Sequence, residues 1–177
     1  MLGYAAIQAG AATDEVFSVN VVGFQKVAAL SNKQILVSMP FSADSYDINQ
    51  VVGGQLVAGK NDASADKILF WDVTLQQYKT FYLRTKAGTI TNKWVELGGN
   101  EDIPATNGLL RYSSGAWLLK PAGIAGQSNQ TVILCGDVVN MGAVTTLVYG
   151  TSAGYMNLIS YPYSTPVGIN AMRLTNA

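Results

Sequence analysis

Asp62 and Asp66, in Lys60-Asn61-Asp62-Ala63-Ser64-Ala65-Asp66-Lys67, and the pair Glu101-Asp102 are the local acidic groupings in loop-like sequence. Oxygen-rich loops bind calcium, and two carboxylates about 5 to 9.5 Å apart in a cleft cleave glycosides. Neither pattern is completed here. The D-x-[DN]-x-[DN]-G spacing of a calcium loop is missing, and Lys60 and Lys67 flank the first group, so solvated loop charge is expected at these positions. With 0 histidines, the chain lacks the Ser-His-Asp and Cys-His nucleophile arrangements, the common zinc sites and the imidazole switch. The 1 cysteine, Cys135, lies in Thr131-Val132-Ile133-Leu134-Cys135-Gly136, has no internal partner for a disulfide, and is expected to be a small buried hydrophobe. No Gly-rich phosphate loop, metal cluster or basic stripe is visible. The inventory predicts a protein that is not an enzyme and carries no cofactor and no metal.

Aromatic residues offer the other chemistry. Phe70-Trp71, Tyr78, Phe81-Tyr82, Trp94, Tyr112 and Trp117 crowd the centre of the chain. Trp71, Tyr82 and Trp117 are candidates for stacking on pyranose rings, beside polar groups such as Asp72 and Arg84. Packing in a core or an interface is the commoner fate of such side chains.

The elements that must position these residues read as strands. Runs rich in Val, Ile, Leu and aromatics recur at 16–22, 34–39, 67–73, 78–84, 93–97, 116–120, 131–135, 145–149 and 156–161, separated by Gly, Asn, Ser and Thr. This spacing predicts an all-β fold, an antiparallel β-sandwich or jelly-roll-like domain with short connecting turns. Alternation places Ile68 and Phe70 on one face, Leu69 and Trp71 on the other, and Tyr78, Thr80, Tyr82 and Arg84 together. One helical turn is expected over 47–52, stopped by Gly53-Gly54. An internal strand repeat joins Leu36-Val37-Ser38-Met39-Pro40-Phe41-Ser42 to Leu158-Ile159-Ser160-Tyr161-Pro162-Tyr163-Ser164 at an offset of 122 residues. It predicts that the two copies occupy equivalent places in one β structure.

Residues 1–15 are uncharged except for Asp14 and Glu15, small and apolar, and Ala9-Gly10-Ala11 suits a cleavage site. They read as an N-terminal arm or a signal-peptide remnant, with residues 16–177 forming a single β domain and an extracellular or cell-surface location. Charged residues make up 12% of the chain against roughly 25% in an average domain. Hydrophobic residues make up 49%, net charge is zero and mean hydropathy is +0.19. Such a surface does little to keep copies apart. It also lacks the basic charge that nucleic acids or anionic membranes attract, and no run reaches the about 20 apolar residues of a membrane span.

The segments Asn20-Val21-Val22-Gly23-Phe24, Leu36-Val37-Ser38-Met39-Pro40-Phe41, the aromatic hairpin at 67–82, Gly115-Ala116-Trp117-Leu118-Leu119-Lys120, Gly136-Asp137-Val138 and Asn157-Leu158-Ile159-Ser160-Tyr161-Pro162 resemble those of uncharacterised exported all-β domain proteins of environmental bacteria. The resemblance implies export and β architecture, and no activity.

These readings converge on a secreted structural subunit that self-assembles into an extracellular filament or surface layer. In the expected mechanism the arm of one subunit adds a strand to its neighbour, with Tyr4, Ile7, Val16, Phe17 and Val19 as anchors and copies of the chain as partners. The alternative is a cell-surface carbohydrate-binding module that uses exposed Trp71, Tyr82 and Trp117 to hold glycans.

Overall fold

Period-two alternation of apolar side chains is what builds this molecule. The computed structural model describes residues 22–112, 114–122, 128–138, 147, 154–161 and 168. Among them are eight strands: β1 (Val22–Ala29), β2 (Gln34–Ser38), β3 (Phe41–Ser42), β4 (Lys67–Asp72), β5 (Gln77–Lys86), β6 (Ile90–Glu96), β7 (Gly115–Leu119) and β8 (Gln130–Val138). They form two antiparallel sheets, ordered β1-β8-β3 and β2-β7-β4-β5-β6. The sheets pack as a sandwich around one core. Ala29, Phe41, Val132 and Leu134 enter it from the smaller sheet, and Val37, Ile68, Phe81, Leu83, Trp94 and Leu118 from the larger.

Register explains which residues are inside. Ile68 lies opposite both Phe81 and Leu118, and Leu83 lies opposite Trp94, so one layer of the larger sheet is continuously apolar. Phe70 closes the layer edge-on against Phe81, with ring centroids 5.6 Å apart. In the smaller sheet Gly23 faces Gly136, and a side chain on either would run into Phe41, so the glycine pair is the seat for that ring. The expected helical turn is α1 (Ile48–Val51). Its cap is Asp47, whose carboxylate accepts the Asn49 N–H at 2.8 Å, and Gly53 follows it with φ +55°. Asn49 then fastens the turn to the larger sheet: Oδ1 accepts the Trp94 N–H and Nδ2 donates to the Ala105 carbonyl.

Four sequence expectations need correction. Cys135 is exposed, because Val132 and Leu134 take the inward positions of β8 and alternation turns their odd-numbered neighbours outward. Asp66 is wholly buried rather than solvated, since it ends a buried run entering β4 and meets Lys120 inside. No strand is expected over 23–29, yet β1 runs from Val22 to Ala29, because Gly23 and Gln25 do not interrupt a ladder whose partner β8 supplies every rung; residues 16–21 of the expected 16–22 strand lie outside the described residues. Residues 156–161 make no strand; within them Ile159 alone bridges, to Ser114. The two repeat copies nevertheless meet at one place. Leu36 and Leu158 both lie 3.4 Å from where a side chain on Gly115 would begin, the first through a ladder along β7, the second through that single bridge. The expected strand at 145–149, apart from Leu147, and the remainder of the second copy lie outside the described residues.

Trp94 is 0% exposed and donates its indole N–H to the Gly53 carbonyl at 2.9 Å. Trp94→Ala is expected to lower unfolding free energy by about 3–5 kcal/mol. Phe24→Ser, at a side chain 67% exposed, should stay within about 0.5 kcal/mol in the dissociated chain. Urea titration of both variants checks the contrast.

Candidate functional site

The outer face of the larger sheet gathers part of the predicted aromatic platform. Trp71 and Tyr78 are register partners on β4 and β5, and their rings meet edge to face at 4.9 Å. Trp117, on β7, donates its indole N–H to the Tyr78 hydroxyl at 3.1 Å. Leu36, 50% exposed, lies opposite Trp117 on β2. Segment 154–161 crosses one end of this face. Trp71 donates to the Met156 carbonyl at 2.8 Å, and the Gln76 carboxamide accepts the Met156 N–H and donates to the same carbonyl.

Beside this cluster lies an open cleft of about 480 Å³, lined by Trp71, Asp72, Lys79, Asn107, Arg111 and Leu158 among others. It opens where β4 runs past the start of β7. Asp72 pairs with Lys79 at 2.7 Å and caps the hairpin turn by accepting the Thr74 and Leu75 N–H groups. The hydrogen bond from Lys79, then those from the turn, hold the Asp72 carboxyl below its ordinary range, and Asp72 in turn raises the Lys79 ammonium. Both groups stay charged at neutral pH. The pair sets one positive and one negative group at the margin of the cleft.

Tyr82 does not belong to the platform. It is 1% exposed, packed with Ala65, Ile90 and Val95 in a small second core. Its hydroxyl donates to Glu101 at 2.6 Å, and Arg84 donates to the same carboxylate at 3.1 Å. Arg84 and Lys86 also share Asp102. The Glu101-Asp102 pair is thus spent on locking the 101–102 turn against β5. Asp62, expected as solvated loop charge, pairs with Lys67 at 2.9 Å and stays part-exposed. Among the described residues no group of three or more His, Cys, Asp or Glu side chains is placed to hold a metal ion.

The smaller sheet presents a second candidate surface, which the sequence reading missed. Val22 (71% exposed), Phe24, Ile133 (42%) and Cys135 share its outer face, with Phe24 opposite Cys135 and Val22 opposite Asp137. The signal was present as the alternation Val22-Gly23-Phe24-Gln25-Lys26. β1 is also the last strand of its sheet among the described residues.

The direction of its backbone groups follows from Gln55. That carboxamide accepts the Ile133 N–H at 2.8 Å and donates to the Ile133 carbonyl at 3.1 Å, so both groups of Ile133 point away from β1. Lys26 and Ile133 are register partners, which makes them a non-hydrogen-bonded pair. The N–H and C=O of Val22, Phe24, Lys26 and Ala28 accordingly point away from β8, to the side where no strand lies among the described residues. The arm anchors Tyr4, Ile7, Val16, Phe17 and Val19 lie outside the described residues.

Burial, then the Glu101 hydrogen bond, pushes the Tyr82 hydroxyl up to about 12 from an ordinary value near 10. The folded chain therefore favours the neutral phenol. Its contribution to stability is complete below about pH 10 and is lost as pH rises towards 12. Alkaline unfolding curves should show this loss, and Tyr82→Phe should abolish it. No protein-family model, curated protein or solved structure matches this chain.

Proposed function

We propose that this protein is a secreted structural subunit that assembles with copies of itself at the extracellular surface, the β1 edge being the acceptor for a strand from a neighbour. The observation that carries this reading is the coincidence of outward backbone groups at Val22, Phe24, Lys26 and Ala28 with apolar side chains at Val22 and Phe24. A sheet edge with no strand beside it among the described residues is a template for pairing, and natural monomers blunt such edges with prolines, bulges or clustered charge. Here the eight residues of β1 contain Lys26 as their one charged side chain and no proline. Low overall charge adds little repulsion. The donor on this reading is the segment expected over 4–22, short of Val22, which belongs to β1; its Tyr4, Ile7, Val16, Phe17 and Val19 would pack on the apolar outer face. An arm of one subunit on the edge of the next is a head-to-tail join, which propagates without closing. No helix among the described residues is long and apolar enough to cross a membrane.

The cleft beside Trp71 supports a second reading, a carbohydrate-binding module. Trp71 and Trp117 supply aromatic surface, and Asp72, Lys79, Asn107 and Arg111 supply hydrogen-bonding groups at its margin. Under this reading the protein stays monomeric, a glycan array gives a defined ligand, and Trp71→Ala weakens it about tenfold or more, by lost stacking and packing.

Lys26→Pro separates these readings. Proline removes an N–H that points away from β8, so the isolated fold tolerates it, whereas Gln25→Pro removes a rung between β1 and β8. Sedimentation should show association of the full chain rising with concentration and a single species for Lys26→Pro with an unchanged circular dichroism spectrum. Assembly by Lys26→Pro equal to that of the parent chain would rule out the β1 edge as the join.

A further inference from the structure

Asp66 and Lys120 are the charged residues that are 0% exposed among those described. Lys67 of β4 lies opposite Leu119 of β7, so the ladder carries on to set residue 66 across from residue 120, both facing the core at the end of the sheet. Their backbones are fixed. Asp66 N–H donates to the Val57 carbonyl, the Leu83 N–H donates to the Asp66 carbonyl, and the Lys120 N–H donates to the Lys33 carbonyl. Between the side chains, Lys120 Nζ lies 2.5 Å from Asp66 Oδ2 and 2.6 Å from Gln130 Oε1. The Val57 N–H donates to the same Asp66 oxygen at 2.9 Å.

Such a pair is costly as two ions. Removing an ammonium and a carboxylate from water forfeits hydration that one contact only partly replaces. The geometry also meets the conditions for a reaction. An amine and a carboxyl condense poorly in water because both are ionised and solvent reverses the product; a dry site removes both obstacles, and fixed backbones replace a bimolecular encounter.

We propose that Lys120 and Asp66 are a self-crosslinking pair, joined in the folded chain as an amide between Nζ and Cγ with loss of one water. The ammonium first passes a proton to the carboxylate along their hydrogen bond, giving a neutral amine and a neutral acid. The Gln130 carbonyl holds one Nζ hydrogen and thereby directs the lone pair, while the Val57 N–H, bonded to Oδ2, assists that oxygen as the leaving group. Nζ attacks Cγ and the C–N bond forms. Oδ2, which carries the transferred proton, then leaves with it and one hydrogen from Nζ as water, so that Oδ1 stays as the amide carbonyl and one hydrogen remains on the amide nitrogen. Neither oxidant nor cofactor is needed. The product closes a loop across a separation of 54 residues and ties the entry to β4 to the exit from β7, in a chain whose 1 cysteine allows no internal disulfide.

Mass spectrometry of the full chain, purified folded and then denatured, tests this. Trypsin cuts after Lys60, Lys67, Arg111 and Arg173 and is blocked at Lys120 by Pro121, so the two side chains fall on separate peptides, 61–67 and 112–173. The expected result is one species joining those peptides, lighter than their sum by one water, with fragment ions locating the bond at Asp66 and Lys120. Lys120→Arg and Asp66→Ala should return separate peptides, a readout that does not depend on those variants folding. Asp66→Asn, which leaves the ammonium without its proton acceptor, should also return separate peptides. Separate, unmodified 61–67 and 112–173 peptides from the folded parent chain would overturn the proposal.

Discussion

Two sheets packed face to face hide alternate residues of most strands, with Tyr82 and Val95 buried on the other side in a small second core, and the consequences of that rule run through the described residues. Val132 and Leu134 are buried on β8 while Ile133 and Cys135 are turned out; Val37 is buried on β2 while Leu36 is turned out. In a chain with average charge the outward set would be mostly ionic or polar. Here it includes Val22, Phe24, Leu36, Ile133 and Tyr78. Both candidate surfaces are outer faces of sheets, and both exist because the outward half of the alternation is apolar too.

The two surfaces differ in what already covers them. On the larger sheet, segment 154–161 fastens to Trp71 and Gln76, and Trp117 satisfies its indole on Tyr78, so the aromatic cluster is anchored from within. On the smaller sheet Gln55 supplies a substitute for a neighbouring strand, but only at Ile133 and only on the side away from β1. The β1 edge has no comparable cover among the described residues. This asymmetry is the reason the edge, rather than the aromatic cleft, carries the leading functional proposal.

Much of the fold was legible in the sequence because it is locally encoded. The β4–β5 hairpin could be read with its faces correctly assigned, since Ile68, Phe70, Leu69 and Trp71 alternate without interruption, and α1 could be read from Asp47 and the glycines after Val52. Long-range partners decided the rest. Asp66 resembles its solvated neighbour Asp62 until the β4–β7 register brings Lys120 opposite, and Tyr82 resembles Tyr78 until Ala65, Ile90 and Val95 close over it. Cys135 misled because a continuous apolar run does not reveal which half of it faces inward. β1 was not legible locally because it is defined by pairing with β8, more than 100 residues later.

Hydrogen exchange at β1, compared between dissociated and associated protein, bears most directly on the claim that this edge joins subunits. The account predicts that the amides of Val22, Phe24, Lys26 and Ala28 exchange rapidly in the single chain and become protected on association, while those of Gln25 and Val27 are protected in both. Equal, rapid exchange of the outward amides in the associated state would contradict it.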